Sequence, residues 1–265
     1  MLFRSLALRA AGRLQEALDL LSEPGSFSRD VHTLRGDLQM DLGQFHEAVG
    51  SYSTVVAFED HNMYAYHHLA VCLGRLERWE PAAEAFRKLL AHDTYNDQAH
   101  IGLGDCLLHL NRPEEALKCF ETCWSEAARL PAMFGKAVAL QLLRRFDEAE
   151  ALYQRVLMLQ PGFEEALGNL IAMSMEVFDL TRVKRYAQQL LALAPESPLA
   201  LQALTVVACE RREYAIAAAL FGAWLEHPAA SPRHPPGAAP DGLEYRLSAE
   251  NVARLRSLHE PGGEA

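Results

Sequence analysis

The residues best suited to chemistry are histidines. Six of the eleven, His61, His67, His68, His92, His100 and His109, crowd between positions 61 and 109. Imidazoles at that density could ligate a metal or contact a peptide. Asp105 and His109 are four residues apart, so on a helix they share a face, one turn from each other. That spacing allows ligation, although nothing in the sequence demands it. The acid pairs Glu114-Glu115, Asp147-Glu148 and Glu164-Glu165 have the composition of general acid-base pairs. Their recurrence at the starts of helical stretches fits complementarity to the helix macrodipole instead. The five cysteines, Cys72, Cys106, Cys119, Cys123 and Cys209, include no CxxC pair, and no histidine stands at zinc-finger spacing from them. They read as small buried hydrophobes in a reducing compartment. No GxSxG, P-loop, HExxH or GxGxxG pattern is present. We therefore expect no catalytic residues, no metal and no cofactor.

Composition narrows the partners. The chain has 265 residues, 50% hydrophobic and 23% charged, with a net charge of -10. That is too apolar for a disordered chain. A negative body repels phosphate, so nucleic acid is not an expected partner. No apolar run is long enough to span a membrane. The segment Met1 to Gln15 carries Arg4, Arg9 and Arg13 with no acid before Glu16, superficially like an organelle transit peptide. However, Gly12-Arg13-Leu14-Gln15-Glu16-Ala17 repeats a phrase found further along, so this segment reads as a first helix pair. A cytoplasmic location follows by default.

The elements that must position these side chains are set by a repeat. A turn, a Leu or aromatic residue, one or two acids and an alanine recur, as in Gly43-Gln44-Phe45-His46-Glu47-Ala48 and Arg144-Arg145-Phe146-Asp147-Glu148-Ala149. Ala48, Ala82, Ala116 and Ala149 are separated by 34, 34 and 33 residues, and Ala217 lies 68 beyond Ala149 with Val183 at the midpoint. Four residues after these positions stand Tyr52, Phe86, Phe120, Tyr153 and Phe221; Ala187 is the one departure. The small residue permits close helix approach, and the ring one turn later fills the gap beside it. Gly43 allows the tight turn between helices, and Pro81 and Pro113 suit the start of a second helix. One such unit cannot bury its own apolar face and must stack on the next.

With Leu34-Arg35-Gly36, Leu69-Ala70 and Leu103-Gly104 upstream, and Pro161 and Pro195 closing two units, the pattern resembles the tetratricopeptide repeat family over residues 1–228. The resemblance implies an all-α, right-handed superhelical solenoid of stacked antiparallel helix pairs. Its segments would be 1–28, 29–62, 63–96, 97–129, 130–163, 164–197 and 198–228. The sixth, with Val183 and Ala187, is expected to pack most loosely. Residues 229–243 read as a Pro-rich linker. Residues 244–260 read as an amphipathic helix with Ser248 as N-cap and Leu247, Val252, Leu255 and Leu258 in one stripe, followed by a tail, 261–265. That helix could cap the solenoid, fold into its groove, or order on a partner.

Register with the family places Tyr64, His67, His68, Val71 and Arg75 on the groove side of the third unit. Gln98, Ile101, Asp105, Leu108 and His109 follow in the fourth, and Phe134, Val138, Gln141 and Leu142 in the fifth. These side chains could be ordinary groove lining, a peptide-contact patch, or, for His68, Asp105 and His109 together, a metal site. Relatives that clamp chaperone tails use Lys, Asn and Arg; the matching positions here hold Thr33, Asp37, His68, Gln98 and Gly102, so that mechanism does not transfer. The asparagine ladder of sugar-transferase relatives is likewise reduced to Asn169. The resemblance thus implies a non-catalytic scaffold or adaptor that binds a peptide or helix of a partner protein, anchored first by Tyr64 and Phe134. Two alternatives are an assembly chaperone or structural subunit of a secretion or surface-organelle complex, and a homodimer formed through the terminal repeat and C-terminal helix.

Overall fold

The computed structural model describes residues 1–21 and 28–226 together with Asn251 and Leu255. The described residues form fourteen α-helices and no strand. They run as consecutive pairs: α1 (Leu2–Ala10) with α2 (Leu14–Leu21), α3 (Arg29–Asp41) with α4 (Phe45–Phe58), and α5 (Met63–Arg75) with α6 (Trp79–His92). Then come α7 (Asp97–His109) with α8 (Pro113–Thr122), and α9 (Glu126–Leu142) with α10 (Phe146–Leu159). The last are α11 (Glu164–Glu176) with α12 (Leu180–Leu193), and α13 (Pro198–Glu210) with α14 (Tyr214–Glu226). The expected all-α class of stacked helix pairs is therefore what the chain adopts. It divides into two compact units, Met1–Arg145 and Phe146–Ala265. The Pro-rich segment 229–243, and all of 244–260 except Asn251 and Leu255, lie outside the described residues.

Local chemistry explains where the helices start and stop. Ser28, Asn62, Asn96, Ser125 and Ser197 each accept a bond from the amide three residues on, capping α3, α5, α7, α9 and α13. The turn inside every pair uses one left-handed residue: Gly12, Gly43, Glu77, Asn111, Arg144, Phe178 and Arg212, with φ between 56° and 74°. The next amide then reaches back five residues, as from Gln44 to the Gln39 carbonyl at 2.7 Å and from Arg112 to the Leu107 carbonyl at 2.8 Å. Within each unit the chain reverses in three residues and lays the second helix of a pair antiparallel on the first. Ser125 starts α9 at Glu126, ahead of position 130, so Pro131 sits inside that helix.

In the first unit the rings of Tyr52, Phe86 and Phe120 act as wedges. A Cβ added at Gly36 would meet the Tyr52 ring, one at Gly102 the Phe86 ring, and one at either Gly104 or Gly135 the Phe120 ring, all closer than 3.0 Å. Phe120 is thus held between bare backbone of its own pair and of the next. The second unit has its own core. Tyr153 and Phe221 are fully buried, and so are Val183 and Ala187 of the degenerate segment. Tyr186 supplies the missing ring one residue early. It is buried and donates its hydroxyl to Glu150, which also accepts from Arg182 at 2.7 Å. The degenerate segment is thus buried as closely at Val183 and Ala187 as its neighbours are at the matching sites. Every residue of α13 from Ala200 to Cys209 is buried, and Leu255 packs into a cluster with Leu201, Cys209, Phe221 and Trp224.

Candidate functional site

In the first unit the first helices of several successive pairs pack on one another, α1 with α3, α5 with α7 and α7 with α9, and a hydrogen bond from Tyr64 to Asp37 joins α5 to α3. The Asn62 cap fixes where α5 begins and puts Tyr64 in its first turn. Tyr64 is half exposed, and its hydroxyl donates to Asp37 Oδ1 at 2.9 Å. The buried Tyr52 hydroxyl donates to the same oxygen at 2.7 Å. Arg9 of α1 places Nη1 3.1 Å from Asp37 Oδ2 and Nε 2.7 Å from Asp41. The bond to Asp41 holds the guanidinium in its charged form. Burial, then the bond to Asp37, pushes the Tyr64 hydroxyl up to about 12. Asp37 is therefore a hub with three donors, although in the sequence it stands out only as a clamp position without a cation. The pairing of Arg9 has no signal in the sequence, because its partners are 28 and 32 residues away.

His67 and His68 are half buried, with ring centroids 5.2 Å apart. His68 lies 4.1 Å from the Tyr64 ring and stacks at 5.6 Å on Tyr52. Desolvation lowers the basicity of both imidazoles, and for His68 the neighbouring His67 adds to it. His68 holds the register position that Gly102 and Gly135 hold in α7 and α9. Where those glycines let a phenylalanine meet backbone, Tyr52 meets an imidazole instead. His68 is thus part of the joint between pairs, and its buried Nδ1 has no hydrogen-bond partner among the described residues.

On α7, Gln98 and Asp105 are exposed. Asp105 makes no hydrogen bond or ion pair with any described residue. It touches water, yet enough protein surrounds it that desolvation pushes its carboxyl up to about 6. His109 lies flat on the Trp79 indole, with centroids 3.8 Å apart and planes 4° from parallel. Among the described residues no group of three or more His, Cys, Asp or Glu could hold a metal ion, so His68, Asp105 and His109 are not brought together as ligands. On α9, Phe134, Val138 and Gln141 are half buried and Leu142 is exposed. Arg75, at the end of α5, is exposed and forms no ion pair with a described residue. The five cysteines are free thiols, and burial pushes Cys72 up to about 11 and Cys106 up to about 12, away from thiolate reactivity. The face therefore offers rings, apolar patches, hydroxyls and carboxylates, the components of a recognition surface.

Three family models described as tetratricopeptide repeat match the chain, over residues 33–97, 76–133 and 130–163. Among solved structures, PilW, a widely conserved type IV pilus biogenesis factor, is similar with a TM-score of 0.67 and 20% identity, covering 77% of this chain and 94% of its own. A tetratricopeptide repeat protein from Parabacteroides merdae has a TM-score of 0.67 at 15% identity, over 96% of this chain and 95% of that one. YrrB, described as having an unusual peptide-binding site, reaches 0.57 at 18% identity, over 72% of this chain and 96% of its own. No curated protein matches the chain.

Proposed function

Because the chain belongs to the tetratricopeptide repeat family, we propose that it is a non-catalytic interaction module that holds a segment of a partner protein along the face of its first unit. The family supports a protein-interaction module. The observation that carries the finer reading is the composition of that face, where half-exposed Tyr64, Ile101, Leu108, Phe134 and Val138 alternate with Gln98, Asp105 and Gln141 on helices held rigidly by the ring wedges. Such a surface suits an extended peptide or one helical turn, with apolar anchors giving affinity and polar groups fixing register. The five free thiols fit a reducing compartment such as the cytoplasm. A structural or assembly subunit would use the same face. Self-association through the terminal pair has less support, since Leu255 already covers Phe221 and Trp224 within the chain.

The test is a Tyr64→Ala, Phe134→Ala double variant, compared with wild type in affinity capture from the source cell followed by mass spectrometry. Circular dichroism should show an unchanged helical signal. Specific partners should be lost, with each anchor contributing upward of about 1–2 kcal/mol. A folded double variant that keeps every partner moves the site off this face.

A further inference from the structure

Away from the Tyr64 face, the first unit holds a cavity of about 350 Å³ between α4 and α6, the second helices of two successive pairs. Its floor is α5, through the buried side chains of Tyr66, Leu69 and Leu73. At about 100° per residue these three lie on the side of the helix opposite Tyr64, His67 and His68. Val49 of α4 and Ala85 of α6 add apolar wall. The Tyr66 hydroxyl is already used, donating to Asp60 at 2.7 Å. The rim is charged, with Arg78 at the start of α6 and Glu84 and Lys88 further along it, all exposed. Glu84 and Lys88 are one turn apart and offset each other. Asp60 is held in its charged form first by the Tyr66 bond and further by Lys88. Arg78 makes no side-chain hydrogen bond or ion pair with a described residue, whereas Arg9, Arg29 and Arg112 of the same unit each pair with a carboxylate. The cavity therefore joins a buried apolar floor to an uncompensated cation on its rim.

We infer that this cavity is a second docking site, which takes one large apolar side chain of a partner protein while an Asp or Glu of the same segment pairs with Arg78. The inference does not depend on the reading of the Tyr64 face. The volume lies at the small end of ligand cavities, so it suits a single anchor side chain rather than a whole peptide. Burying that anchor on Tyr66, Leu69 and Leu73 supplies the affinity. The guanidinium fork of Arg78 takes a carboxylate by two parallel bonds and fixes the register. The net charge of -10 opposes an acidic partner at long range. It is screened beyond the roughly 8 Å Debye length of physiological salt, so the charges on the rim decide at contact.

The experiment pans a phage-displayed library of random peptides against the full chain as wild type, Ser53→Trp, Arg78→Glu, and the Tyr64→Ala, Phe134→Ala double variant. Ser53 lines the cavity from α4 and is half buried, so a Trp there fills the space. Circular dichroism checks each fold, and the exposed Arg78 keeps the test open if Ser53→Trp does not fold. Wild type should yield a class of peptides with an aromatic or large aliphatic residue at fixed spacing from an Asp or Glu. That class should bind the double variant unchanged and be lost from Ser53→Trp. It should bind Arg78→Glu roughly 10- to 100-fold more weakly, the loss of one charge-assisted hydrogen bond. A library that gives no such class, or one indifferent to both Ser53→Trp and Arg78→Glu, overturns the site. A class lost only from the double variant overturns it too and leaves the Tyr64 face standing. Calorimetry with decanoate covers the remaining case: wild type that binds decanoate but no peptide of this class takes small amphipathic anions, which overturns a protein partner.

Discussion

At the residue scale, Asp37 and Asp105 show how the same side chain on equivalent faces acquires different chemistry. Asp37 is saturated by Arg9, Tyr52 and Tyr64, whereas no described residue pairs with Asp105. The isolation has a thermodynamic signature. A carboxyl whose native pKa is raised to about 6, above the ordinary aspartate value of about 4, binds more protons folded than unfolded between those limits, so the charged form opposes folding above them. Asp105→Asn should therefore be more stable than wild type in urea at pH 7.5. The difference should shrink as pH falls through 6 and vanish below about 4. A gain that is the same at pH 7.5 and pH 3.5 would separate it from Asp105 ionisation. The sequence placed Asp105 on the correct helix but could not show its isolation, which depends on which cations from other helices fail to reach it. His68 was legible as a groove neighbour of Tyr64, while its part in the Tyr52 joint depends on the register of α4 against α5.

At the element scale the repeat was readable because packing leaves few choices. A buried ring wedged against backbone demands a small residue opposite, so Ala48, Ala82 and Ala116, the rings four residues later, and Gly102, Gly104 and Gly135 leave a size pattern at fixed spacing. The same argument predicts the sign of a substitution. Gly135→Ala would normally favour a helix by about 1 kcal/mol. Here the new methyl runs into the fully buried Phe120 ring. The variant should lose about 1–3 kcal/mol, measured by urea unfolding; a stabilised Gly135→Ala would show that the joint has room for the methyl. The turns were less legible. Only Gly12 and Gly43 announce a left-handed residue, while Glu77, Arg144, Phe178 and Arg212 adopt it because the bonds on either side close the turn around them. The degenerate sixth segment misled for a related reason, since the ring that fills it, Tyr186, arrives one residue out of register and is anchored by Glu150.

At the scale of the whole molecule, each helix pair of a solenoid is stabilised by its neighbours, so a terminal pair depends on whatever covers its outer face. In the second unit Leu255 occupies that role against α13 and α14. Leu255→Ala should destabilise this unit by about 2–5 kcal/mol, the usual cost of truncating a fully buried leucine. Amide exchange should rise in α13 and α14 while the first unit keeps its protection. Equal loosening of both units would mean that they unfold together. The apolar stripe of residues 247–258 was readable in the sequence, with capping as one of three options, but the place where Leu255 packs, beside Cys209 and Trp224, was not.

The stack of His109 on Trp79 gives the protein a built-in optical reporter. The three tryptophans sit in different surroundings: Trp124 is 74% exposed, Trp224 is 9% exposed, and Trp79 lies face to face with an imidazole at the end of the helix that carries Asp105. Indole emission responds strongly to a stacked neighbour. A chain with Trp124→Phe and Trp224→Phe would therefore carry a single fluorophore whose intensity follows the geometry of α7, and any occupant that shifts His109 would be seen as light, with no label attached.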